Sequence, residues 1–81
     1  YGEEAEDEDD EIDVPVDELP DIIKQAVESA VPGGKITEAE LEMEDGQQIY
    51  EVTVEKDGKE FEVEVSKDGE VLEVELEEEE E

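Results

Sequence analysis

The sequence predicts an α+β fold in which one amphipathic helix packs on a four-stranded antiparallel meander sheet, in the order α-β-β-β-β. Three observations carry that prediction. Apolar residues alternate strictly with polar ones from Tyr50 to Leu76, the period of a sheet with one buried face. Asp-Gly pairs at Asp45-Gly46, Asp57-Gly58 and Asp68-Gly69 mark tight hairpins. Ahead of them, Leu19, Ile22, Ile23, Ala26, Val27, Ala30 and Val31 recur at the spacing of one helical stripe.

The first element, residues 1–13, is an acidic run with almost nothing to bury, and a disordered tail is expected there. Within it and just beyond, Asp7, Asp9, Glu11, Asp13 and Glu18 fall at the first, third, fifth, seventh and twelfth positions of an EF-hand-like calcium loop. The sixth position of such a loop needs glycine for its sharp turn, and Ile12 stands there. A solvated tail is the expected state. Val14-Pro15-Val16 reads as an extended lead-in, and Asp17 as the N-cap of a helix over Glu18–Val31. Pro20 is compatible with the first turn, where backbone donors have no intrahelical partner. Asp17, Glu18 and Asp21 sit at the positive end of the helix dipole, and Pro32-Gly33-Gly34 ends the helix.

Lys35 to Glu44 reads as the first strand, with Ala39, Leu41 and Met43 on one face and Glu38, Glu40, Glu42 and Glu44 on the other. Ile36 breaks the parity and marks a bulge or a plug at the helix-strand corner. Two-residue Asp-Gly loops favour the type I′ turn, whose twist matches the flanking strands, so each turn sets a register. Asp45-Gly46 puts Leu41 opposite Tyr50, Ala39 opposite Val52 and Glu40 opposite Glu51. Asp57-Gly58 puts Val54 opposite Phe61, Val52 opposite Val63 and Tyr50 opposite Val65. Asp68-Gly69 puts Val65 opposite Leu72, Val63 opposite Val74 and Phe61 opposite Leu76. Apolar meets apolar throughout this set, whereas a one-residue slip would turn it to the other face. The domain is expected over 14–76, followed by a second acidic tail at 77–81.

The chain has 81 residues, 33 of them acidic against five lysines, and a formal charge of -28. That balance excludes nucleic acid and anionic membrane as partners, because both require basic surface. Cations or a basic protein patch are the complementary ligands. With no cysteine there is no disulfide or thiolate chemistry. No apolar run reaches the length of a membrane span and no signal-peptide pattern is present. The sequence starts at Tyr1 rather than Met, which points to a removed leader or an excised piece of a longer chain. No nucleophile and base can be assembled without His or Cys, Ser29 and Ser66 being the only serines, so no catalytic residue and no organic cofactor are assigned.

The register gathers the chemistry on the outer face. Glu40, Glu51, Glu64 and Glu73 form one row across the strands, and Glu38, Glu62 and Glu75 form the next around Thr53. Lys56, Lys59 and Lys67 sit at turns and Lys24 on the helix, so none of them interleaves these rows. Carboxylates about 5 to 6 Å apart repel by roughly 0.7 to 0.8 kcal/mol in water, and five such pairs by about 3 to 4 kcal/mol, which a small domain can scarcely spare. A compensating cation is expected on these seven glutamates, and oxygen-only ligands select calcium or lanthanide ions over magnesium.

The order of these elements resembles the PepSY and PepSY-like domains. The resemblance spans Val14 to Leu76 and rests on the Leu19-Pro20 helix start, the Pro32-Gly33 stop, the strand Tyr50-x-Val52-x-Val54, and the turn Asp68-Gly69-x-Val71-Leu72. It implies a non-enzymatic, typically exported domain, in the periplasm or outside the cell, of a kind found in peptidase propeptides and cell-envelope proteins. Peptidase regulation or inhibition and, in some related proteins, metal binding are the roles it implies. The sequence departs from the family in its acidity, which directs any regulatory role to a basic target. Three readings follow: a monomeric cation-binding module, a module docking a basic protein or peptidase, and an acidic surface adapted to high salt.

Overall fold

A computed structural model describes residues 11–77 of the chain. Strand β1 (Ile12–Asp13) leads into a short 3-10 turn (Val16–Glu18) and helix α1 (Asp21–Ala30). Strands β2 (Lys35–Glu44), β3 (Gln47–Lys56), β4 (Lys59–Ser66) and β5 (Val71–Glu77) then follow in a meander. The sheet is antiparallel and five-stranded, in the order β1-β2-β3-β4-β5. The expected four strands are thus corrected to five. Ile12 pairs with Leu41 and Asp13 with Glu40, and the Val14 N–H extends the pairing to the Ala39 carbonyl at 2.9 Å. Two residues are too few to register a period in an acidic run. The rest of the expected tails, residues 1–10 and 78–81, lie outside the described residues.

The helix starts later than its apolar stripe suggests. Proline disfavours helical geometry in the residue before it, and Leu19 accordingly has φ -66° and ψ 137°. Pro20 is itself extended and acts as N-cap, its carbonyl accepting from the N–H groups of Ile23 at 3.0 Å and Lys24 at 3.1 Å. Asp17 therefore belongs to the 3-10 turn and does not cap the helix. Leu19, on this bend, is nevertheless buried with Ile23, Ala26, Val27 and Val31 from the helix side and Ala39, Val52, Val54, Val63 and Val65 from the sheet. At the other end, the Gly34 N–H returns to the Val31 carbonyl at 3.1 Å, and Lys56 Nζ donates to the Pro32 carbonyl at 2.7 Å.

Every predicted β2–β3 and β3–β4 pairing is present. Asp45 and Gly46 have φ of 52° and 79°, and Asp57 and Gly58 of 54° and 78°, as a type I′ turn requires. The irregularity expected at Ile36 is a bulge in which Thr37 has no partner between Ile36↔Val54 and Glu38↔Thr53. The third hairpin is a correction. Only Gly69 has positive φ there, the Ser66 N–H donates to the Glu70 carbonyl, and the loop is Lys67-Asp68-Gly69. Val65 consequently pairs with Val71 rather than Leu72, and Leu72 becomes an extra residue that restores Val63↔Val74 and Phe61↔Leu76.

Candidate functional site

The side of the sheet away from the helix carries the glutamates, because successive side chains of a strand point to opposite faces. The register aligns Glu40 with Glu51, Glu51 with Glu64, and Glu64 with Glu73, giving the predicted first row across four strands. The second row is aligned as well, with Glu38 opposite Thr53, Thr53 opposite Glu62 and Glu62 opposite Glu75. A shallow depression of about 90 Å³ opens between Glu38, Glu40, Glu51, Thr53 and Glu62.

Side-chain reach gathers the carboxylates differently from backbone register. Glu11, Glu40, Glu42 and Glu51 bring one oxygen each to within 4.8 Å of one another, and so do Glu62, Glu75 and Glu77. Of the seven predicted residues, Glu40 and Glu51 fall in the first group and Glu62 and Glu75 in the second, while Glu38, Glu64 and Glu73 lie in neither. Glu42 shares the strand parity of Glu40, a signal in the sequence that could have added it. Glu11 and Glu77 fall in the expected tails: Glu11 comes in beside the additional strand β1, and Glu77 because β5 runs one residue past its expected end at Leu76. Of the calcium-loop spacing, Asp7 and Asp9 lie outside the described residues; among the described ones Ile12 and Asp13 are extended in β1 and Glu18 ends the 3-10 turn, so these do not form a loop.

Crowding on this face raises the proton affinity of its inner carboxyls. Glu51 is pushed up to about 9, first by partial removal from water, then by a hydrogen bond to Glu42 and the charges of Glu62, Glu42 and Glu64. Desolvation is also the leading cause for Glu40, with Glu11 and Asp13 next, and for Glu64, with Glu73 next. Glu62 is raised by desolvation and by Glu77 and Glu75, although a hydrogen bond from Glu51 acts in the opposite direction. Ile49 contributes to the environment: it has the parity of Glu51, pairs with Glu42 and Ser66, and is only 5% exposed. An apolar residue buried on the acidic side marks a place where water is thinned.

Fold and face together define a small α+β domain with a helix on one side of its sheet and a carboxylate-rich surface on the other. A family model described as PepSY, "Peptidase propeptide and YPEB domain", matches residues 20–75. The chain belongs to the PepSY family. No curated protein and no solved structure matches it. Among the described residues, no helix is long and apolar enough to cross a membrane.

Proposed function

We propose that this PepSY domain is a non-catalytic binding module whose acidic sheet face takes hard cations, calcium or a trivalent lanthanide. The observation that carries the reading is the convergence of oxygens from Glu11, Glu40, Glu42 and Glu51 within 4.8 Å, with a second group at Glu62, Glu75 and Glu77. The donor set is entirely carboxylate, the chemistry hard cations select. These residues would hold the ion, with Glu38, Glu64 and Glu73 contributing the surrounding negative field. A bound cation would supply the charge that protons supply at the raised carboxyls, so binding should release protons.

The test is thermal unfolding in calcium or lanthanum chloride against sodium chloride at matched ionic strength. A ligand binding only the native state at a hundredfold its Kd adds about 2.7 kcal/mol, a rise on the order of 10 °C for a domain this small. Equal stabilisation by sodium chloride would sink the reading and leave a screened, high-salt surface. The family description favours a second reading, a peptidase-regulating module that docks a basic partner, and an exported location accompanies it. Co-purification with basic envelope proteins that survives saturating calcium would favour that second role over the first.

A further inference from the structure

Among the described residues, the sheet has one long unpaired edge. The strand order leaves β1 and β5 outermost, and β5 runs seven residues from Val71 to Glu77 with every one exposed. Its sides are chemically opposed. Val74 and Leu76 pair with Val63 and Phe61, which places them on the side of the sheet that bears the helix, yet they are 45% and 51% exposed. Leu72 is 44% exposed. Ile22 extends this apolar margin from the helix: it is 48% exposed, and its Cγ1 lies 2.6 Å from where a Cβ at Gly69 would stand. On the other side Glu73, Glu75 and Glu77 continue into Glu64, Glu62 and Glu60 of β4.

Natural edge strands are usually blunted by charged side chains, proline or a covering element. β5 has no proline, and its only charges, Glu73, Glu75 and Glu77, share one side and repel acidic but not basic partners. We infer that β5 accepts an extended segment of another protein as a sixth strand, and that this segment alternates basic with apolar residues. Main-chain pairing would give affinity, while the alternation would set apolar side chains beside Val74 and Leu76 and cations beside Glu73, Glu75 and Glu77. Charge decides the occupant. A second copy brings another formal charge of -28, and in any register that keeps its apolar residues on the apolar side, glutamate meets glutamate. Residues 78–81, all glutamate, meet the same objection. The inference shares Glu75 and Glu77 with the second oxygen group, so an ion held there would compete with the basic side chains, whereas the main-chain pairing and the apolar margin do not depend on the cation reading.

The experiment uses the full chain, labelled with ¹⁵N, and a short blocked peptide of alternating lysine and valine. A peptide of the same composition with its lysines grouped at one end, and an alternating peptide N-methylated at every second amide, serve as comparisons. The alternating peptide should bind, with shift changes and new amide protection concentrated along β5. Grouping the lysines or N-methylation should each weaken binding by about tenfold or more, because register or main-chain donors are lost. Val74→Lys with Leu76→Lys should do the same, and the N-methylated peptide gives that answer with the protein unaltered. Equal binding of all three peptides, or shift changes spread over the glutamate face without β5 protection, would overturn the inference in favour of bulk charge attraction. β5 protection that grows with protein concentration in the absence of peptide would overturn it in favour of a second copy.

Discussion

Gly34 leaves room for Val54. A Cβ at Gly34 would overlap Val54 Cγ1 and stand 3.0 Å from Val31 Cγ1, and Val54 is fully buried at 0% exposure. The helix-to-sheet corner can close this tightly only without a side chain. Gly34→Ala should therefore destabilise by about 1 to 3 kcal/mol through overpacking, read as a lower denaturation midpoint. Gly46→Ala has open space around it but a φ of 79°, so its cost should come from conformation, about 1 to 2 kcal/mol.

A second corner restraint is the bond from Lys56 Nζ to the Pro32 carbonyl. Lys56→Met keeps the aliphatic stem and removes the donor. The expected loss is about 0.5 to 1.5 kcal/mol, with faster amide exchange at Val31 and Gly34. Unchanged exchange at both positions would refute a restraining role for the bond.

The raised carboxyls predict an unusual stability profile. With Glu51 at about 9 in the folded chain and near 4.5 when unfolded, the native state binds the extra proton between those values. Stability from this group is complete below about pH 4.5 and is lost as pH rises through 9, so the melting temperature should climb on acidification from pH 9 towards 5. Glu40, Glu62 and Glu64 act in the same direction. A melting temperature flat or falling over that range would contradict the assignment.

Glu51→Gln with Glu62→Gln replaces one carboxylate in each oxygen group. Without metal the double variant should be more stable than wild type at pH 8, because glutamine has no charge to desolvate and no proton to take up on folding. It should also lose most of any calcium-dependent rise in melting temperature and most of the proton release on calcium addition. Retention of both responses would move the cation away from these groups.

The same Asp-Gly dipeptide was a sound guide twice and a misleading one once, for an identifiable reason. After Glu44 and Lys56, nothing competes with the two-residue turn, and the counted register is correct from Leu41 to Val65. Before the third pair stands Ser66, whose Oγ accepts from the Asp68 N–H at 3.3 Å and the Glu70 N–H at 3.1 Å. Serine offers the backbone this alternative, so the loop takes a third residue and Leu72 absorbs the offset. The glutamate rows were legible because parity is a backbone property. The gathering of Glu11, Glu42 and Glu77 around them was not, since it depends on diagonal side-chain reach and on strand ends written in acidic low-complexity sequence.

The connectivity of the sheet also sets an order of assembly. β2 to β5 are joined by hairpins of two or three residues, so each pairing closes a minimal loop and forms on the microsecond scale of isolated hairpins. β1 is different: pairing Asp13 with Glu40 closes a loop that contains the whole helix. The entropy of that closure falls on two residues of ladder, leaving little to hold it. β1 should therefore join last and open first, carrying Glu11 away from Glu40, Glu42 and Glu51 each time it does. The four-carboxylate group should then last only as long as that two-residue pairing, while Glu62, Glu75 and Glu77, on strands joined by a short hairpin, should keep their partners through the same event.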